Sequence, residues 1–235
     1  MKLQSYTVVR SNWLTRKIDS RAAAVSALVT LFTIFGALVC WGDTWGAESW
    51  MPATRGQVWG EHQWWRAWTT LFVHADAHHL LANCVLFFIL GMFVFGYFGA
   101  VVFPFLALAV GGVANLYVLS GMRNETQLIG MSGVVFWLGG FWLLLYFLID
   151  RRRSLGARAM RAGGVALGLF MPAEAFDPSI SYQTHLTGFV LGLACALIFY
   201  VFNRDKIRRA EIKEVVVEAH NETETDPDSV TETRH

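Results

Sequence analysis

Charge is what this chain has least of. Only 16% of its 235 residues are Asp, Glu, Lys or Arg, against about 25% in a typical soluble domain. The stretch 67–149 holds three of them, Asp76, Arg123 and Glu125. This excludes a soluble globular enzyme and a nucleic-acid binder, and the 54% of apolar residues excludes a disordered chain. Cysteine is scarce as well. Cys40, Cys84 and Cys195 stand far apart in apolar runs, which reads as buried thiols and excludes a disulfide framework. No internal repeat is visible, which argues against the transporters that are built from repeats. The net charge of +1 excludes nothing, because opposite local excesses cancel, and the last 33 residues alone carry fifteen charges.

What the chain has instead is long apolar runs. A helix needs about 20 apolar residues to cross a hydrocarbon layer about 30 Å thick. Ala22–Trp41 fits and carries no charge. It is too long for the core of a signal peptide, and no Ala-x-Ala site follows, so it is an uncleaved first span. Ala77–Met122 is uncharged and long enough for two spans, divided by a turn near Tyr97–Ala100. Ser132–Ile149 is a fourth, and Ser179–Asn203 contains a sixth. The fifth is the weakest. In Leu155–Met171 the arginines Arg158 and Arg161 precede an uncharged core, Ala162–Ala173. Long arginines snorkel to the interface, so this segment reads either as a short or tilted span or as a re-entrant one.

Lys and Arg collect in the N-terminal segment, in the 150–161 loop and just after the sixth span. With six spans all three clusters fall on one side, and positive charge marks that side as cytoplasmic. The expectation is therefore an all-α polytopic bundle of six transmembrane helices. Residues 1–21 form a cytoplasmic segment, 22–203 the membrane domain, and 204–235 a charged cytoplasmic tail. From Glu211 that tail turns acidic and polar, and it is expected to be disordered beyond a short helical start.

Ionisable and polar side chains at membrane depth are costly and point to function. Three groups qualify. The first runs through His74, His78, His79 and Asn83; the second is Gly130-Met131-Ser132-Gly133; the third starts at His185 and continues through Gly188 and Gly192. His79 and Asn83 are four apart, so on a helix they share a face. They read as paired donors or as interfacial residues wetted by headgroups. His74 and His78, with His185, also form a conceivable metal set, but no acidic residue lies at depth to balance a dication and no HExxH pattern occurs. Ser132 opens a span, where unpaired backbone N–H groups would stabilise an oxyanion. The same small residues also serve close helix packing. The Gly188 and Gly192 face would let the last span press against a neighbour, and the same approach would bring His185 to Ser132 as its base.

Taken together, HxxxxHxxxN (His74, His79, Asn83), then GxSG (Gly130–Gly133), then HxxGxxxG (His185, Gly188, Gly192) resembles the rhomboid intramembrane serine proteases. Trp65-Arg66 before the histidines is similar too, and the likeness covers roughly Gly60 to Asn203. The resemblance implies a six-helix membrane protease with a Ser132–His185 dyad and no acidic third member. It implies an oxyanion hole from the side chains of His79 and Asn83 with the Ser132 backbone N–H. His74 would hold the loop before span two, Gly130 would permit close backbone approach, and Phe136 would pack on the histidine base. Gly133 and Gly188 belong to the motifs around that pair, and His78 matches no functional position. No cofactor is implied. The implied partners are the lipid bilayer and transmembrane protein substrates whose helices unwind, and the implied location is the bacterial cytoplasmic membrane. One position departs from the pattern: between Gly91 and Gly99 stands Phe95, where many members carry a glutamate. This questions the usual polar tie at the inner end of span two. Two rivals remain, a catalytically inactive rhomboid-like protein that binds membrane clients and a small metal or solute transporter.

Overall fold

The structure is a computed structural model and describes residues 2–170 and 182–220. Its long helices are α1 (Ala22–Trp41), α2 (Ala77–Phe98), α3 (Ala107–Gly121), α4 (Ser132–Ile149), α5 (Leu155–Phe170) and α6 (Tyr182–Arg209). A wound segment, Val101–Leu106, leads directly into α3. Among the described residues, five helices are long and apolar enough to cross a membrane: α1, α2, Val101–Gly121, α4 and α6. The sixth, α5, is described over 16 residues, up to the edge of the described region at Phe170. The expected fifth segment is thus a helix, and its last expected residue, Met171, lies outside the described residues. So do Ala173, the end of the expected uncharged core, and residues 179–181 at the start of the stretch expected to contain the sixth span.

The divisions between helices follow from the chain. The turn expected near Tyr97–Ala100 sits at Gly99, whose φ of +85° is a left-handed value that glycine adopts without strain. Asp76 caps α2, its carboxylate accepting from the His79 N–H at 2.8 Å.

Helix α4 is the axis of the bundle. Trp137, Leu138, Phe141 and Leu145 are fully buried. On α1 the outward side chains Leu28, Leu31, Phe32 and Phe35 are exposed, as are Leu186, Val190, Ile198 and Phe202 on α6. Apolar residues therefore face outward as well as inward, the pattern expected where lipid rather than water is the solvent. Between membrane helices no hydrophobic force operates, so packing contacts must hold them. Close approach supplies those contacts along the α4–α6 seam. A side chain on Gly188 would collide with the Gly133 carbonyl, one on Gly192 with the Trp137 carbonyl, and one on Gly140 with the Phe189 carbonyl.

Two antiparallel ribbons add to the helices. In the first, β2 (Ala53–Thr54) pairs with β3 (Gln127–Leu128) and ties the loop after α1 to the approach to Ser132. In the second, β1 (Lys2–Ser11) pairs with β4 (Ile212–His220), Tyr6 lying opposite Val216. The expectation of disorder beyond a short helical start is corrected for Ile212–His220. The helix runs to Arg209 and the strand covers Ile212–His220. The acidic residues there are matched: Glu218 accepts from the Tyr6 hydroxyl at 2.7 Å, and Glu214 pairs with Arg10. The tail beyond His220 lies outside the described residues.

The polar tie questioned at Phe95 is built elsewhere. Phe95 is buried among apolar neighbours. At the end of α4, the Asp150 side chain accepts from the Asn12 amide at 2.9 Å and from Arg152 at 2.7 Å. Burial would raise this carboxyl, but the hydrogen bonds from Arg152 and Asn12 and the charges of Arg152 and Arg153 outweigh it and hold it below its ordinary range.

Candidate active site

Four short elements converge where α4 begins. Arg66, buried at the start of the turn Arg66–Thr69, donates to the carbonyls of Ser49 at 3.0 Å and Pro52 at 2.9 Å and so folds the loop after α1 back on itself. Asn115 of α3 is buried and donates to the Ala67 carbonyl at 2.9 Å, which fixes the other side of that turn. Four residues on, Thr70 grips the strand that leads to Ser132. Its hydroxyl donates to the Leu128 carbonyl, and its own carbonyl accepts from the Gly130 N–H at 3.1 Å.

Gly130 has φ +104°, and a Cβ there would lie 2.9 Å from His79 Cε1 and 3.1 Å from Nε2. Only glycine lets the backbone pass so close to that imidazole. His79 stands on the first turn of α2, half-buried. His74 lies just before α2, 2% exposed, its ring edge-on to His79 with centroids 5.1 Å apart. The His74 carbonyl accepts from the Trp41 indole at 2.6 Å, while both ring nitrogens are buried without a partner among the described residues. Burial first, and the neighbouring His79 second, push His74 down to about 4, so its ring is neutral at pH 7. Asn83 is buried one turn after His79, and its amide donates to the His79 carbonyl at 3.1 Å. An amide carries two N–H donors, so one remains. His78, the neighbour with no assigned role, is exposed.

Ser132 is the first residue of α4 and half-buried, behind Met131, whose side chain supplies no cap. Phe136 follows one turn later on the same face. The His185 ring of α6 stacks on the Phe136 ring, centroids 4.1 Å apart and planes at 10°. The seam beside this stack is tight, since a Cβ on Gly133 would lie 2.9 Å from the Thr184 methyl. The structure thus gathers His74, His79, Asn83, Gly130, Ser132, Gly133, Phe136, His185 and Gly188 at the α2, α4 and α6 ends. His78 is left facing outward. Thr70 and Asn115 were not anticipated. Asn115 was visible as a lone amide inside an apolar run, whereas Thr70 gave no signal in a stretch that reads as ordinary loop.

The family model for the rhomboid domain matches residues 61–202. The chain belongs to the rhomboid family. Its five long apolar helices and this domain make it a multi-pass integral membrane protein of the helical-bundle class. It is 31% identical to an uncharacterized protein of Mycobacterium leprae over 137 residues, 54% of this chain and 52% of that one. It is 27% identical to a protein of Acanthamoeba polyphaga mimivirus named for the rhomboid family, over 54% of this chain and 71% of that one. An uncharacterized protein of Mycobacterium tuberculosis is 30% identical over 150 residues, 56% of this rhomboid and 58% of the relative. The match thus spans about half the length of the two mycobacterial relatives.

Proposed function

We propose that this rhomboid is an intramembrane serine endopeptidase that cleaves peptide bonds in or beside the membrane-spanning segments of other proteins. The observation that carries the reading is the His185 ring stacked on Phe136, one helical turn from Ser132 on the same face of α4. An imidazole held there is suited to take a proton from a hydroxyl at the head of the helix.

In this reading the Ser132 Oγ attacks the scissile carbonyl carbon while His185 accepts the hydroxyl proton. The imidazolium passes that proton to the leaving amine, and an ester to Ser132 remains. Water, deprotonated by the same imidazole, hydrolyses the ester and regenerates the serine. The carbonyl oxygen, negative in the tetrahedral intermediate, is met by the Ser132 backbone N–H, the His79 ring and the free N–H of Asn83. The ring of His74, neutral and packed edge-on, holds His79 in place without competing for that charge. A hydrogen-bonded helix hides its carbonyls, so the preferred substrates are transmembrane segments that unwind readily, with small residues at the cut and helix breakers nearby. The Lys and Arg clusters orient both ends of the chain toward the cytoplasm of a bacterial inner membrane.

The test is labelling by a serine-directed fluorophosphonate in detergent. Wild type is expected to label, and Ser132→Ala and His185→Ala to remain blank. Equal labelling of all three proteins removes the protease reading and leaves a client-binding rhomboid.

A further inference from the structure

The arginines around the α4–α5 turn are matched, with one exception. Arg152 and Arg153 face the Asp150 carboxylate at 2.7 and 3.8 Å. Arg151 reaches Glu211 at 3.4 Å. Arg158 donates to the Phe147 carbonyl at 2.7 Å. Arg161 makes no hydrogen bond and no ion pair among the described residues. It stands almost two turns into α5, about 9 Å along the axis from Leu155.

Arg161 also lines a groove of about 470 Å³ between α4 and α5. Trp142, Leu143 and Tyr146 form one wall, and Ala162 and Val165 the other. Arg161 is exposed, and at the edge of a hydrocarbon layer its charge, unmatched among the described residues, is one an anion beside the apolar walls would pair with. A free phosphate would answer the charge and leave the groove empty. A neutral lipid would fill the groove and leave the charge. A molecule with a phosphate on an apolar chain does both, and basic pockets between membrane helices suit such headgroups.

We propose that the α4–α5 groove seats one anionic phospholipid, its phosphate on the Arg161 guanidinium and one acyl chain along Trp142, Leu143 and Val165. The lipid comes from the leaflet on the side of the α4–α5 turn. It braces α5 against α4 in the place where protein contacts are thin. Nothing in this depends on the chemistry at Ser132.

The experiment is native mass spectrometry of the full chain in mild detergent, with added phosphatidylglycerol or phosphatidylcholine of the same chains. Wild type is expected to retain one phosphatidylglycerol in preference to phosphatidylcholine by about fivefold, the size of one basic side chain acting near a headgroup. Arg161→Gln should erase the preference and Arg161→Lys should keep it. Arg151→Gln, whose partner is Glu211, should behave as wild type. Val165→Trp fills the groove and should reduce retention of both lipids. Thermal unfolding in lipid-free detergent checks that each variant is folded. The proposal is overturned if folded Arg161→Gln keeps the wild-type preference, or if wild type holds the two lipids equally. It is also overturned if millimolar inorganic phosphate displaces the lipid, or if an acidic membrane peptide occupies the groove in its place.

Discussion

Helix α4 meets the glycine-bearing helices α6 and α5 in opposite ways. Against α6, Gly133, Gly140, Gly188 and Gly192 let backbone meet backbone, so that a single added carbon would collide. On α5, Gly156, Gly163, Gly164 and Gly168 have nothing among the described residues within 4 Å of where a side chain would begin. The same residue type is a fastening in one seam and a bare face in the other. The fastened seam carries Ser132 and His185. In the proposed reading, rigidity is concentrated where two groups must hold register, and freedom is left at the helix beside it.

This contrast can be broken by substitution. The largest effect is expected where the tight seam meets the chemistry. Asn83→Ala should slow cleavage of a transmembrane substrate by about 100- to 1000-fold, the usual cost of one lost oxyanion donor, with residual turnover in a time course. Gly188→Val should come next, because overpacking costs about 1–3 kcal/mol. It should lower the thermal midpoint in detergent and abolish serine labelling together. If Gly188→Val unfolds and labels like wild type, the seam is not what holds the pair.

A pH series sharpens the same contrast. The folded His74 ring sits at about 4 against an ordinary 6.5. The unfolded chain therefore binds more protons in that window, and stability falls as pH drops from about 6.5 to about 4, by roughly 3 kcal/mol at most. His74→Phe should flatten that part of the curve. Asp150 behaves as a depressed carboxylate. Its contribution is present above its unfolded value and disappears as pH falls through the lower folded one, so Asp150→Asn should remove a separate loss at more acid pH. The smallest effect belongs to the loose helix. Gly168→Ala meets no neighbour and gains helix propensity, so it should raise the unfolding midpoint slightly, by less than about 1 kcal/mol. A clear loss instead would mean that the bare face is covered.

Much of this was legible in the residues. The five long spans were marked by uncharged runs, and the turn at Gly99 by the length of Ala77–Met122. The histidines, Asn83, Ser132 and His185 stood out because polar groups at depth are rare. What stayed hidden was set by distant pairing. Tyr6-Thr7-Val8-Val9 and Val215–Val217 favour extended chain, but each segment's partner lies some two hundred positions away, so neither announces the pairing. Thr70 acts through a backbone carbonyl on another loop, and composition does not reveal which carbonyl a hydroxyl will find. The extent of α5 was ambiguous for a different reason: Arg158 and Arg161 shorten its uncharged run, so run length alone could not fix its ends.

The ribbon of β1 with β4 has a consequence for biogenesis. One strand is made before α1 and the other after α6, with about two hundred residues between them. The helices can therefore insert one by one while β1 waits without a mate, its amide groups open to water. The ribbon closes only after the sixth helix has been delivered, which makes its zipping a receipt that the bundle in between is complete.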